Sequence, residues 1–322
     1  MREDLFPLID RFAQQRILVV GDLMLDRFIW GKVTRISPEA PVPVVHVTKD
    51  SDHLGGAANV ASNIRSLGGQ PQPAGLIGHD EAGARLVRAM DREAISTEAI
   101  TNSDQYQTIQ KTRIIAHQQQ VVRVDQEVLH PLEKALVQRL VKSMERFLPE
   151  TDAIIVSDYG KGVINKVLLE GLAGIAGEIP ISVDPKDPNF DHYQSAFIIT
   201  PNHGEAERMA GMTIVSEADL AEAGSRIFAR TGCRHLLITR GEQGMAVFHA
   251  PGQMEVIPTR AREVYDVSGA GDTVIAAFTL AHAAGATLTQ AAIMANAAAG
   301  VVVGKLGTAS LSPDELKAAL LK

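Results

Sequence analysis

The chain has 322 residues, 45% hydrophobic and 21% charged, with a formal net charge of −7. That leaves ample apolar material for a sizeable core and argues against a nucleic-acid binder, which normally presents a basic face. The one cysteine, Cys233, excludes an intramolecular disulfide or a cysteine cage for a metal and reads as a reduced, buried thiol. The N-terminal Met-Arg-Glu-Asp-Leu-Phe-Pro lacks the basic-then-apolar pattern of a signal peptide. The Ala-rich stretch 274–303 is interrupted by His282, Gly285, Gln290 and Asn296, so it reads as two packed helices and not a membrane span. The expectation is a cytoplasmic protein with neither a membrane nor a nucleic-acid partner.

Residues 17–20 (Ile-Leu-Val-Val) form a short apolar run ending at Gly21-Asp22. This is the pattern of a buried strand whose C-terminal end opens onto a site, as in open α/β sheets. Asp22 and Asp26 are carboxylates available there for ligand hydroxyls. Residues 28–48 are Pro-punctuated and β-branched, and 108–124 are again β-like, with Gln118-Gln119-Gln120 as a hairpin turn. Neither fits a helix-covered parallel sheet, so a small separate β-sheet is expected, drawn from about 27–48 and 106–125. Alternation puts Lys111 and Arg113 on one of its faces, and Arg123 follows. These cations are either a solvated edge or a phosphate clamp.

Between those regions, Gly55-Gly56 with Asn59 opens a helix over 57–67, closed by Gly68-Gly69. After a helix near 132–148, strands at 153–156, 181–183, 198–200 and 236–239 alternate with helices such as 166–176 and 217–231. That alternation predicts a parallel sheet covered on both faces. Just beyond the strands fall Asp158 and Lys161, Asp184 and Lys186, Asn202 and Glu205, and Thr239 and Arg240. Four such placements in series point to one rim. Asn202-His203-Gly204-Glu205 is also a capping-box arrangement. Thr239 to Gly244, with Gly241, reads as a turn that lets backbone approach a ligand. The Gly269-Ala270-Gly271 turn then runs into Asp272 and a buried helix. Free N–H groups and the helix dipole favour an anion at such a start.

Asp266-Val-Ser-Gly-Ala-Gly-Asp272 resembles the C-terminal signature of the ribokinase-like (PfkB) carbohydrate kinases. Gly55-Gly56-Ala-Ala-Asn59 through Gly69, followed by Gly75-Leu-Ile-Gly78-His-Asp80-Glu-Ala-Gly83, resembles the N-terminal one. A narrower resemblance lies in Arg35 to Val44, Ser157 to Gly162, Asp184-Pro-Lys186 and Val301 to Thr308. These stretches are similar to the branch that phosphorylates D-glycero-D-manno-heptose 7-phosphate, for ADP-heptose and lipopolysaccharide core precursors. Together they span the chain from about Ile17 to its end.

The resemblance implies a ribokinase-like three-layer α/β/α sandwich with a mainly parallel sheet, residues 1–322 as one kinase domain, and a β lid that often forms a dimer contact. It implies ATP and Mg2+, and the sequence leaves a monovalent-cation requirement open. Asp272 would be the catalytic base, with the amides of Ala270 and Gly271 as anion hole. Asn202, His203, Gly204, Glu205, Thr239, Arg240, Gly241, Gly244 and Asn296 would border ATP, with Asn202 and Glu205 meeting Mg2+ through water. Asp22, Asp26, Gly55, Gly56, Asn59, Asp158 and Asp184 would serve the sugar. Arg113, Arg123, Lys161 and Lys186 are candidates for its phosphate.

Other readings are the same chemistry on another acceptor, such as fructose 6-phosphate or a nucleoside, and an inactive sugar- or nucleotide-binding regulator. Gly300-Val-Val-Val-Gly-Lys-Leu is one residue short of a P-loop and lacks its Ser or Thr. No Gly-x-Gly-x-x-Gly follows the first strand. Related kinases are often fused to a C-terminal nucleotidyltransferase. None is expected in this chain, which has no His-x-Gly-His motif, so it reads as a stand-alone kinase working with a separate nucleotidyltransferase or as the kinase portion of a longer, fused protein.

Overall fold

The computed structural model describes residues 2–321 except 118, 128–130, 195, 260–266 and 306–308. Its strands are β1 (Arg16–Gly21), β2 (Leu23–Ile36), β3 (Pro43–Gly56), β4 (Gln70–Gly78), β5 (Ala99–Ser103), β6 (Ile109–Ala116) and β7 (Gln119–Gln126). There follow β8 (Ala153–Ser157), β9 (Ile181–Asp184), β10 (Ile198–Ile199), β11 (His235–Thr239), β12 (Met245–Ala250) and β13 (Gln253–Ile257). The helices are α1 (Phe6–Asp10), α2 (Ala57–Ser66), α3 (Glu81–Arg92), α4 (Lys134–Glu145) and α5 (Lys166–Ala176). After them come α6 (His203–Ala210), α7 (Glu217–Thr231), α8 (Ala270–Ala283), α9 (Leu288–Val302) and α10 (Pro313–Leu321).

Because successive strand side chains point to opposite faces, β1 sends Ile17 and Val19 into one core and Leu18 and Val20 into another. The first core takes the apolar faces of α2, α3, α8, α9 and α10, the second those of α4 to α7. Runs that are apolar throughout are what a strand covered on both sides requires. The result is three layers. The main sheet has the order β13-β12-β11-β10-β9-β8-β1-β4-β5, parallel from β11 to β5, with β12 and β13 antiparallel at one edge. β1 lies between β8 and β4, so the order reverses there and a crevice opens at the carboxyl ends of β1 and β8.

The second sheet has the order β3-β2-β6-β7. Its two hairpins are antiparallel and meet through a parallel β2–β6 pairing. It begins nearer the core than the expected residue 27, because Leu23, Met24 and Leu25 are buried and root the first hairpin in the body. Gln119 and Gln120 belong to β7 and not to a turn, and Gln118 lies outside the described residues. Only Asp22 separates β1 from β2, and β3 runs into α2 without a linker. The first hairpin of the lid is therefore spliced into the body at two adjacent points.

Candidate active site

At the crevice, β1 and β8 approach so closely that a Cβ on Gly21 would sit 2.2 Å from the Ser157 carbonyl oxygen. Asp22 is thereby tucked, fully buried, beneath residues 158–163. Its Oδ2 accepts the N–H groups of Tyr159 (2.9 Å) and Lys161 (3.2 Å), and its Oδ1 that of Val163 (3.1 Å). Burial, and then the charge of Asp158, push Asp22 up to about 6. Asp158 is equally internal, accepting from Gly160 N–H (2.7 Å), Asn189 Nδ2 (2.7 Å) and Tyr193 Oη (2.6 Å). Burial raises its carboxyl as well. Gly160 and Gly162, at φ +66° and +99°, give the loop its left-handed corners. Both carboxylates, expected from sequence to meet a ligand, are instead placed as anchors of this loop. At a strand end the two roles read alike.

The loop delivers Tyr159 to Asp272. The Tyr159 phenol donates to Oδ1 of Asp272, and Asn59 Nδ2 donates to Oδ2 at 2.6 Å. A second link between the same helices, Thr273 Oγ1 to Asn63 Oδ1 at 2.8 Å, holds α2 against α8. Burial raises the Asp272 carboxyl, while Tyr159 and then Asn59 hold it down. Sequence reasoning gave Tyr159 no role, since a tyrosine between Asp158 and Gly160 carries no spacing that marks it. The turn before Asp272 is capped by Gly269 at φ +78°. The Ala270 N–H, expected in an anion hole, already donates to Val267 O at 3.2 Å. Gly271 faces open space: a Cβ there would meet nothing within 4 Å. Asp266, the first residue of the C-terminal signature, lies outside the described residues, as do 306–308 at the end of the Val301 to Thr308 stretch.

The glycine pair serves protein packing. A Cβ on Gly55 would sit 2.6 Å from Asp26 Oδ2, and one on Gly56, at φ +58°, 2.2 Å from the Asp22 carbonyl oxygen. Asp26 in turn accepts from Arg113 Nη1 at 2.5 Å. Register pairs Asp26 with Lys111 and Arg113 with Arg123, so these four share one lid face. Lys111 Nζ lies 5.8 Å from the centre of the Tyr159 ring, so that face looks toward Asp272.

The cations differ in what they already hold. Arg123 is half-exposed and bidentate on Asp125 at 2.8 and 2.9 Å. Lys161 pairs with Glu127 at 2.7 Å, and Lys186 pairs with Glu205. Among the described residues Lys111 makes no ion pair, and burial lowers its pKa, with Asp26 opposing and Lys161 adding to the effect. Asn202 and Glu205 form a reciprocal capping box, at 3.0 Å each way, at the start of α6.

A cleft of about 660 Å³ lies on the far side of the Gly269 turn. It collects Thr239, Gly241, Gly244, Asn296, Ala270 and Gly271 from the expected residues, over the apolar Met245, Val274 and Val303. His203, Gly204, Arg240, Asn202 and Glu205 do not line it. Asn296 is turned to the Pro258 carbonyl at 2.7 Å. Among the described residues, no group of three or more His, Cys, Asp or Glu is placed to hold a metal ion, and no helix is long and apolar enough to cross a membrane.

Asp184, at the end of β9, is pushed well above the usual carboxylate range by burial and then by the charges of Asp272 and Glu205. A raised folded-state pKa means a contribution to stability that is present at acid pH and lost as pH rises through that pKa. Asp184→Asn, which mimics the protonated form, is expected to raise Tm at neutral pH. That gain should shrink toward pH 4, as thermal melts at the two pH values would show. A lower Tm at neutral pH would mean the charge is needed for folding.

The model for "pfkB family carbohydrate kinase" matches residues 14–315. Bifunctional protein HldE of Trichlorobacter lovleyi is 44% identical over 315 residues, 97% of this chain and 64% of that protein. Bifunctional protein HldE of Granulibacter bethesdensis is 45% identical, with 96% and 65% covered. The chain thus spans somewhat less than two thirds of the curated relatives it matches. Among solved structures, Arabidopsis thaliana ribokinase complexed with ribose and ATP aligns with a TM-score of 0.74 at 17% identity, covering 95% of this chain and 98% of that one. Escherichia coli phosphofructokinase-2 in complex with potassium aligns at 0.76 and 18%, with the same coverage. At these identities the structures speak for the fold, which is ribokinase-like, while the match across 14–315 speaks for descent: the chain belongs to the pfkB family of carbohydrate kinases.

Proposed function

We propose that the protein transfers the γ-phosphoryl group of ATP to the anomeric hydroxyl of D-glycero-D-manno-heptose 7-phosphate, giving the 1,7-bisphosphate. Family membership implies sugar phosphorylation with ATP and usually Mg2+. The observation that carries the reading is the position of Asp272, with the 660 Å³ cleft against its own turn on one side and the cationic lid face on the other. Supporting the heptose are the HldE-named relatives and the heptose-kinase-like stretches around Ser37 and Asp158. The longer relatives are named bifunctional, and we read this chain as the kinase part of an ADP-heptose route, fused to or working with a nucleotidyltransferase.

A sugar hydroxyl is a weak nucleophile until a base takes its proton, and the buried Asp272 carboxylate is that base. Charge on the transferring group is spread over its oxygens, so placed donors matter more than covalent chemistry. The Gly271 and Asp272 amides at the start of α8 are such donors. Asn59 orients the carboxylate, and Asp26, steered by Arg113, receives sugar hydroxyls. Lys111, which makes no ion pair among the described residues, holds the substrate's own phosphate; Arg113, Lys161, Arg123 and Lys186 are each already paired with a carboxylate. Mg2+ keeps several waters and needs few protein oxygens, which fits Asn202 and Glu205 as water-mediated partners. When bound it neutralises charge on the triphosphate. The outer lid face exposes Val122 and Val124, which alternate with Arg123, and Val47 and Ile36 are exposed along the first hairpin. We read this apolar edge as the homodimer contact.

Mg-dependent ADP release with heptose 7-phosphate, fructose 6-phosphate, ribose, adenosine and no acceptor tests the proposal. The expected result is strong preference for the heptose phosphate, with a second phosphate at the anomeric carbon. Preference for another acceptor sinks the heptose, and ATP binding without turnover on any acceptor favours a regulator.

A further inference from the structure

Tyr159 touches the proposed base directly, yet no part of the chemistry above requires it. Its phenol donates to one Asp272 oxygen while Asn59 holds the other. The residue cannot drift, because its own N–H is tied to Asp22 and the next residues of the loop are tied to Asp22 and Asp158. Three separate elements thus converge on a single carboxylate: the loop after β8, α2 and α8 itself.

We propose that Tyr159 is a positioning residue, whose phenol fixes the Asp272 carboxylate so that its free lone pairs face the acceptor hydroxyl. The inference rests on the reading of Asp272 as general base. Each carboxylate oxygen can accept more than one hydrogen bond, so the phenol and the sugar hydroxyl need not compete. The proton leaves the sugar oxygen for Asp272 as that oxygen bonds to phosphorus and the bond to ADP breaks. Tyr159 keeps its own proton throughout. Burial, and then the charge of Asp272, hold the phenol well above its ordinary value, so it remains a donor.

Other charges bear on the pair. Asp26 faces Asp272 from the lid and Lys186 from beyond β9, and Asp184 also acts on both partners. Lys111 lies over the Tyr159 ring. None of them is removed when Tyr159 loses its hydroxyl, so a change on that substitution reports the phenol.

The test is the pH dependence of kcat/KM on the full chain, with ATP, Mg2+ and heptose 7-phosphate. A donor on the ionised form favours that form, so Tyr159→Phe should raise the base's pKa. The acid limb is expected to move up by about one pH unit and kcat to fall about tenfold, the scale of a hydrogen bond to a charged group. Incorporation of 3,5-difluorotyrosine at position 159 strengthens the donor and should move the limb down. Opposite shifts support the proposal. A lower Tm for Tyr159→Phe with the limb unmoved, or no change in either variant, overturns it. If Tyr159→Phe does not fold, the fluorotyrosine protein decides alone: a limb that stays in place counts against the phenol. Asp272→Asn is run beside them: near-normal turnover in that variant removes the base reading itself, whereas an inactive Asp272→Asn with an unmoved Tyr159→Phe limb removes only the role of Tyr159.

Discussion

Asp272→Asn is expected to bind ATP as the unaltered protein does and to lose about two to four orders of magnitude in kcat, the scale of general-base loss. The separation of the two effects follows from geometry. The 660 Å³ cleft is bordered by Ala270 and Gly271, whose backbone the substitution leaves alone, while Asp272 points to Tyr159 and Asn59. Asparagine keeps the shape, but its amide end meets a donor from Tyr159 or Asn59 and has no basicity to offer. Nucleotide titration and single-turnover kinetics separate the two quantities. A weakened ATP affinity with unchanged chemistry would show that Asp272 holds the nucleotide instead.

Lys111→Ala is expected to raise KM for heptose 7-phosphate about ten- to a hundredfold, the worth of one or two charge-assisted hydrogen bonds. Dephosphorylated heptose, as a poorer acceptor, should be affected far less. Lys111 makes no ion pair among the described residues, although Asp26 and Asp125 lie opposite it in register and act on its charge, whereas Arg123 is bound to Asp125 and Lys186 to Glu205. Added salt should narrow the difference between the unaltered protein and the variant, since the contact is electrostatic and half-buried. Equal losses on both acceptors would assign Lys111 to lid structure through its place over the Tyr159 ring.

The large-scale layout was legible because periodicity carries it. Alternating apolar runs and amphipathic stretches placed α5 and α7 to the residue and located β1, β8, β9 and β11 within a residue or two. β4 carries no strand signal in the sequence, since Pro71 and Pro73 stand inside it. Both occupy the same side of the alternation, away from β1, and the β4–β5 ladder begins only at Ala74, so the missing N–H groups fall where β4 has no second neighbour. The β12–β13 hairpin turns at Pro251-Gly252. At the site, sequence could gather carboxylates and cations along one rim but not say which were already satisfied. Asp22 is closed over by backbone N–H groups, Asp158 by the Gly160 N–H with the side chains of Asn189 and Tyr193, and Asp272 by the side chains of Tyr159 and Asn59, while the capping box of Asn202 and Glu205 is a reading that stands beside any role at the nucleotide. The partners that decide Asp22 and Asp272 lie far away along the chain: Asn59 and Asp272 are 213 positions apart.

Residues 272–281 of α8 are all buried, with no flank left to water. A helix of this kind offers random mutation no permissive side. In a saturation library, substitutions along it should be depleted almost uniformly, polar ones for want of partners and bulky ones for want of room. The exposed strands of the lid should tolerate many. Changes in acceptor preference during divergence or directed evolution would then have to be written in the lid and the loop after β8, while the post that carries the base stays as it is. Libraries aimed at new sugars are best spent there.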